Sequence, residues 1–346
     1  MFFLSLRRIT LKTPSKPLRW LAAGMLKPEG LFFCGVTMQY SKPPLSIDEQ
    51  ATRLIQRGLV CDNPDRLKHY LIHIGYYRLS AYWLPFEQTP VEPNSRNHSF
   101  KADTTFDRVL DLYDFDRKLR LLVMNAIERI KVAVRTRWAD AMAMHHGSHA
   151  HMNSDLFKDP WQHQQDLATL SREIKKSKEV FIKHYRDQYS KPFLPPIWAI
   201  VEMMSFGQLS YWFSNTSNTE IKKEVMRSLK FPTIEVLEKV LHTLTPVRNT
   251  AAHHGRLWNR QFPMTLPKIK RLRERVVPNG APNKQGHCIF NYLVIVEYLK
   301  SVINPTGQWK DRLMSLLGTV LDSDLKAMGF PEDWREREPW KGVAGA

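Results

Sequence analysis

The segment VRNTAAHHGRLWNR, which runs from Val247 to Arg260, concentrates the side chains that could handle a phosphodiester. It places three arginines, two histidines and two asparagines within fourteen residues. The planar guanidinium of arginine matches phosphate oxygens and stays protonated, while an imidazole exchanges protons near neutral pH. The segment therefore contains the residue types that cleavage of an RNA strand requires.

Most of this segment has a composition typical of a helix, and an ideal helix determines how its side chains would be arranged. Arg248 and His253 would lie about 140° apart, so a single helix would leave the site open. Two copies facing each other would close it around one phosphate. Four side chains are expected to share one stripe of the helix: Asn249, His253, Arg256 and Arg260. Pro246 predicts a kink one turn before Arg248, since it lacks an amide hydrogen and crowds the preceding turn.

Five further segments of the chain have distinctive sequences. They read SKPPLSIDEQ at 41–50, IGYYRLSAYW at 74–83, AIERIKVAVRTR at 126–137, PPIWAIVEMMSFGQL at 195–209 and MGFPEDW at 328–334. In this order, and with the RN-x-x-AHH-x-RLWN block, they resemble the bacterial abortive-infection proteins of the AbiD/AbiF type. The core made by Arg248 and His253 resembles the signature of HEPN-superfamily ribonucleases. The resemblance covers roughly residues 40–340, and Pro246 departs from the family pattern.

The resemblance implies a metal-independent endoribonuclease that needs no cofactor and acts in phage defence. The 2′-hydroxyl of the RNA would attack the adjacent phosphorus, leaving a 2′,3′-cyclic phosphate and a 5′-hydroxyl. In this interpretation His253 transfers protons, Arg248 stabilises the phosphoryl charge, and Asn249 orients the histidine or binds the phosphate. Supporting or RNA-binding roles fall to five residues: His254, Arg256, Arg260, Glu128 and Arg135. Lys131 shares one helix face with Glu128 and Arg135.

The family also implies partners. HEPN ribonucleases form paired sites, and this chain has one clear motif, so a homodimer is expected. Because the activity must be restrained in healthy cells, we expect a regulatory structured non-coding RNA or an antitoxin-like partner. Two alternatives stay open, namely a non-catalytic RNA-binding module and a sensor of a phage protein without nuclease activity.

The composition agrees with a polyanionic partner. Lys and Arg number 51 against 34 Asp and Glu, a formal charge of +17, which favours nucleic acid or an anionic surface. The three cysteines are scattered and form no Cys-x-x-Cys pair. This pattern indicates a reducing cytoplasm without disulfides, and neither a structural zinc nor a membrane anchor is expected.

Four histidines cluster between residues 145 and 151, and His145 and His149 have the spacing of metal ligands. No thiol or acidic residue other than Asp155 lies near them in the sequence. We therefore favour a loop without metal. Glu128 has two interpretations: it pairs with Arg248 or a neighbour, or it belongs to an ordinary salt-bridged helix face.

The periodicity predicts an all-α protein, a HEPN-like helical bundle with an N-terminal helical extension. Residues 1–37, which carry a net charge of +5, are predicted as a poorly ordered basic extension or a misassigned start. An N-terminal helical subdomain covers 41–90, a HEPN-like helical domain 104–321 and a C-terminal tail 322–346. Helices are predicted at about 46–58, 64–74, 105–144, 161–189, 197–213, 219–229, from 233 through the motif, 288–303 and 307–321.

Overall fold

Side-chain caps begin several helices of this protein where the sequence predicts them. Ser46 and Glu49 form the expected capping box, in which the Glu49 amide donates to the Ser46 hydroxyl at 3.2 Å. Asn63 caps the helix that has Pro64 in its first turn. Thr105 and Thr233 cap the two helices that carry the motif residues.

The computed structural model describes residues 41–89 and 98–342, so the predicted basic extension at 1–37 lies outside the described residues. The helices, in chain order, are α1 (Ile47–Gln56), α2 (Pro64–His73), α3 (Tyr76–Trp83), α4 (Phe106–His146), α5 (Pro160–Lys176), α6 (Val180–Gln188), α7 (Ile197–Met203), α8 (Phe206–Asn215), α9 (Thr219–Ser228), α10 (Ile234–Ala252), α11 (Ile289–Ile303), α12 (Trp309–Leu317) and α13 (Asp322–Ala327). Within the described ranges β-pairing is confined to isolated bridges and no strand is present, which confirms the all-α prediction.

Two predicted helices were wrong in their length. The predicted helix at 161–189 is divided into α5 and α6, because the Ser177 hydroxyl accepts from the Glu179 amide and turns the chain. The predicted helix at 197–213 is divided into α7 and α8. Here Ser205 and Gln208 form a second capping box, which begins a new helix instead of continuing the old one.

The core is built on α4 and α11. The 41-residue α4 contacts α3 and α7 through α12, so it is the element against which most others pack. α11 is an almost uninterrupted apolar run, and its residues from Ile289 to Val296 are all buried. A helix that is apolar on all sides belongs in the middle of a protein, so α11 and α4 together form the centre that positions α10.

The segment predicted as a C-terminal tail also contributes to the core. It carries α13, and it buries Trp334 and Trp340. The rings of Phe330 and Phe290 lie 4.8 Å apart, which attaches this segment to α11. The described residues from 45 to 342, which exclude 90–97, belong to one compact unit. The division into subdomains at 41–90 and 104–321 stays a prediction.

None of the helices in the described ranges has the length and apolar character that crossing a bilayer requires.

Candidate functional site

The motif helix α10 ends earlier than an unbroken helical motif requires. It continues through Pro246 and stops at Ala252, with His253 as its C-cap residue. The expectation that Arg256 and Arg260 extend the stripe of the helix was therefore wrong. Both follow the last helical turn, so their side chains are placed by the loop and not by helical periodicity.

A tight turn ends α10 and involves both histidines of the motif. The amide of His254 donates to the Ala251 carbonyl at 3.1 Å, and that of Gly255 donates to Thr250 at 2.7 Å. These two bonds define a Schellman turn, in which the left-handed position usually holds glycine. Here His254 occupies it with a φ of 59°. Arg78 of α3 donates to the His254 carbonyl at 2.8 Å and so holds the turn from outside.

Arg248, Asn249, His253 and His254 form an exposed group at the end of α10. Arg248 is half-buried and the other three are exposed. The Nη1 atom of Arg248 donates to Oδ1 of Asn249 at 3.1 Å, which orients the guanidinium. Among the described residues, Arg248 forms no ion pair and the two imidazoles form no hydrogen bond. These groups are therefore accessible to a ligand.

The surroundings of Arg248 are cationic. Arg135 pairs with Glu202 of α7 at 2.5 Å, and its Nε atom is buried without a partner. Burial lowers the pKa of Lys131, and the charges of Arg135 and Arg248 lower it further, while Glu202 and Glu128 oppose them. A phosphate placed here would relieve the repulsion between these cations.

Two interpretations of Glu128 were open, a partner of Arg248 or a neighbour, or part of an ordinary salt-bridged helix face. In the structure the carboxylate that pairs with Arg135, a neighbour of Arg248, belongs to Glu202. Glu128 is exposed and, within the described ranges, forms no ion pair. Glu202 was missed because its only signal was membership of the segment at 195–209. α4 contacts both α7 and α10. These three helices carry all or part of the segments at 126–137, 195–209 and 247–260 that resemble the family.

The second part of the motif segment is used to hold the fold together. The guanidinium of Arg256 donates to the Ala81 carbonyl in α3, and to the Asn259 carbonyl at 3.2 Å. Burial lowers the pKa of Arg256, and the nearby Tyr82 and Asp116 oppose that effect. Arg256 therefore lies between the loop and α3, where its hydrogen bonds are satisfied by the protein.

Asp116 of α4 is the buried acceptor on which this loop is fixed. Its side chain is fully buried, and its Oδ1 atom accepts from the amides of Leu257 and Trp258 at 3.0 and 2.7 Å. Its Oδ2 atom accepts from the Tyr82 hydroxyl at 2.7 Å and forms an ion pair with Arg120. Sequence analysis missed Asp116, since no local pattern marks an aspartate that pairs with a distant loop.

Arg260, the last arginine of the segment, returns to the surface. Its guanidinium lies 5.9 Å from the centre of the Phe262 ring, which it contacts through a cation–π interaction. It is exposed, although it does not share a helical face with His253.

The histidine-rich loop does not bring its imidazoles to a common point. His145 contacts Glu224 at 2.6 Å, His146 contacts Asn218 at 3.0 Å, and His149 contacts the Tyr185 hydroxyl at 3.2 Å. Among the residues that the structure describes, no three potential metal ligands stand close enough to share an ion.

The exposed group therefore contains side chains capable of two chemical functions. Arg248 can bind a phosphate with help from Lys131, and His253 can donate or accept a proton. Phosphate binding and proton transfer are the two functions expected of a site that acts on a phosphodiester.

Comparison with known proteins gives one clear relationship. No curated protein and no solved structure matches the chain. A family model described as Abi-like protein matches residues 69–259, which include α3 to α10, the exposed group and the Asp116 anchor. Because this match covers more than half of the chain, the protein belongs to the family of Abi-like proteins.

Proposed function

We propose that this protein is a metal-independent endoribonuclease of the HEPN type that acts in abortive-infection defence against phage. The observation that carries the proposal is the exposed group at the end of α10. Arg248, which has no carboxylate partner among the residues that the structure describes, and the exposed His253 lie five residues apart in sequence. Lys131 and Arg135 of α4 add two cations near Arg248. The membership in the Abi-like family supports the defence role.

In the proposed reaction the substrate supplies its own nucleophile. The 2′-hydroxyl attacks the adjacent phosphorus, and the bond to the 5′-oxygen of the next nucleotide breaks. His253 takes the proton of the 2′-hydroxyl or protonates the departing 5′-oxygen, a contribution typically worth about 10²–10⁴ in rate. The products are a 2′,3′-cyclic phosphate and a 5′-hydroxyl.

Arg248 stabilises the negative charge that develops on the phosphoryl oxygens. Its guanidinium is oriented by Asn249, and this fixed geometry lowers the cost of binding the transition state. Lys131 and Arg135 increase the local positive potential, which attracts the RNA backbone. His254 and Arg260, which are both exposed, add contacts to the strand.

A homodimer completes the site in this proposal. One copy of α10 offers one imidazole, whereas the reaction needs one group to remove a proton and another to return it. A second copy related by a two-fold axis provides the second histidine and a second arginine. The cytoplasm is the expected compartment, and a regulatory structured RNA or an antitoxin-like protein is the expected control partner.

The test compares the parent protein with His253→Ala and Arg248→Ala on a labelled RNA in the presence of a chelator. The parent should yield cyclic-phosphate ends, and each variant should cut slower by about 10²–10⁴-fold. His184→Ala, which removes an exposed histidine of α6, is the matched control and should cut at the parental rate.

Two results would contradict the proposal. In the first, parent and variants bind RNA equally, the parent does not cut it, and expression of the parent is not toxic. The protein would then be a non-catalytic RNA-binding module. An absence of RNA affinity would leave the sensor of a phage protein. Light scattering should give the mass of a dimer, and growth arrest on expression should be relieved by either alanine variant.

A further inference from the structure

A small cationic cavity lies on the side of α4 away from the motif. Its volume is about 140 Å³, and it lies where α12 begins. Arg129 of α4, Lys300 of α11 and Arg312 of α12 line it, and none of its described lining residues is acidic. Arg129 and Lys131 are two residues apart, which places them about 200° apart around α4. The cavity is therefore distinct from the site around Arg248.

Lys300 is the least exposed of the three cations that line this cavity. Its side chain lies in the interior, since the residue is only 4% exposed, yet within the described ranges it forms no hydrogen bond or ion pair. The stem of the side chain therefore packs in the interior while its ammonium lines the cavity, where a bound anion would offset the repulsion from Arg129. Burial and the charge of Arg129 lower the pKa of Lys300, and the carboxyl of Glu297, one turn earlier, opposes them. Burial raises the pKa of Glu297 itself to about 7.

The beginning of α12 adds a second feature typical of an anion site. The N-cap residue Gln308 provides no side-chain cap, so the first amides of this nine-residue helix are left for another acceptor. The indole of Trp309 donates to the Leu122 carbonyl of α4 at 2.8 Å and fixes the helix start beside Arg129. Gly307 allows close packing there, since a Cβ atom would come within 2.7 Å of the Asn304 amide.

A larger groove continues from the cavity and shares Asn125 and Arg129 with it. Its volume is about 640 Å³, and apolar side chains such as Leu229, Val302 and Ile303 form part of its wall. The charged side chains of Glu128 and Arg137 also line the groove, so its wall offers both polar and apolar contacts. A small molecule that carries the anion on an organic body would fill both.

We propose that Arg129, Lys300, Arg312 and the start of α12 bind the phosphate group of a small phosphorylated molecule, whose remaining atoms lie in the adjoining groove. Three cations and a helix N-terminus match the charge and the oxygen acceptors of a phosphomonoester. The site does not depend on RNA cleavage at Arg248, so each proposal can fail without the other.

Calorimetry at constant ionic strength tests the site with inorganic phosphate, ribose 5-phosphate and ribose. Ribose 5-phosphate should bind at least tenfold tighter than phosphate, and ribose should not bind. Arg312→Gln and Lys300→Met should each weaken ribose 5-phosphate at least tenfold. Arg312 is exposed, so its variant should fold even if Lys300→Met does not. Arg335→Gln, at an exposed ion pair elsewhere, is the matched control.

Equal binding of ribose 5-phosphate by the parent and Arg312→Gln, or no binding by the parent, would overturn the proposal. Equal affinity for phosphate and ribose 5-phosphate would overturn the role of the groove. The affinity of the protein for an RNA oligonucleotide should be unchanged in Arg312→Gln. A tenfold loss of RNA affinity, with no binding of ribose 5-phosphate, would instead assign the cavity to the RNA backbone.

Discussion

The two parts of the motif segment use the same residue types for opposite purposes. In the exposed part, Arg248 and His253 have no carboxylate partner among the described residues and lie beside other cations. In the buried part, Arg256 donates to two protein carbonyls, and Leu257 and Trp258 donate to Asp116. An arginine that is satisfied by the protein stabilises the fold, whereas one that is left without an acceptor is available to a ligand.

The arrangement also explains why the two parts are adjacent in the chain. The exposed group lies at a helix end, where a turn containing a left-handed histidine would be mobile if nothing held it. The bonds from Asp116 and Arg256 attach the chain to the core within three residues of His254. The buried part therefore positions the exposed part without contacting the ligand.

The largest effect on stability is expected from Asp116→Asn, which removes the buried charge that pairs with Arg120. Leaving one member of a buried ion pair uncompensated costs about 3–5 kcal/mol. Urea unfolding followed by circular dichroism measures this loss. Asp114→Asn is the control, because Asp114 forms an exposed pair with Arg117, and it should leave the unfolding midpoint unchanged.

A smaller loss is expected from Arg256→Met, which keeps the length of the side chain and removes its donors. The carbonyls of Ala81 and Asn259 would lose partners, which costs about 1–3 kcal/mol. Arg260→Met is the matched change in the exposed region, and urea unfolding should detect no difference from the parent. Equal losses in both variants would contradict the division into two parts.

The exposed part should respond in the opposite direction. His254→Gly places glycine at the left-handed position of the Schellman turn, where a side chain is strained. We expect the free energy of unfolding to rise by about 0.5–1 kcal/mol. Thermal unfolding measures it, and a lower midpoint would show that the His254 side chain has a structural contact.

The smallest effect is expected from Arg248→Ala, which removes one cation next to Lys131. The pKa of Lys131 should rise. Relief of the repulsion between the two cations should raise the free energy of unfolding by about 0.2–0.5 kcal/mol at low salt. The gain should disappear at about 1 M salt, where charges are screened beyond roughly 3 Å. A loss of stability at low salt would place Arg248 in the structural part of the segment.

Helix beginnings could be predicted because they depend on residues close in sequence. The caps at Ser46, Asn63, Thr105 and Thr233 are local hydrogen bonds, and each lies at the beginning of a helix that the sequence predicts. Helix interruptions were harder to predict. Ser205 and Gln208 begin a new helix through hydrogen bonds that span only three residues. The apolar pattern continues on both sides of Ser205, so the sequence reads as one uninterrupted helix.

The candidate residues of the site could be named from the sequence for the same reason, and their role stays a prediction. The types and order of Arg248, Asn249 and His253 are visible in the chain, but the end of α10 at Ala252 is not. Arg256 and Arg260 have the same side chain, and no local pattern distinguishes the one that enters the core. Glu202 and Asp116 lie far in sequence from the groups they bind, so only the packed structure identifies them.

The amino-acid sequence by itself determined the helical class, the beginnings of the main helices and the set of side chains that could act on a phosphate. These properties follow from local hydrogen bonds, periodicity and charge. The tertiary structure decided which members of that set remain accessible and which are used by the fold. That decision depends on acceptors such as Asp116 and the Ala81 carbonyl. Long-range packing brings such acceptors to their donors, and this packing cannot be predicted from any short segment of the chain.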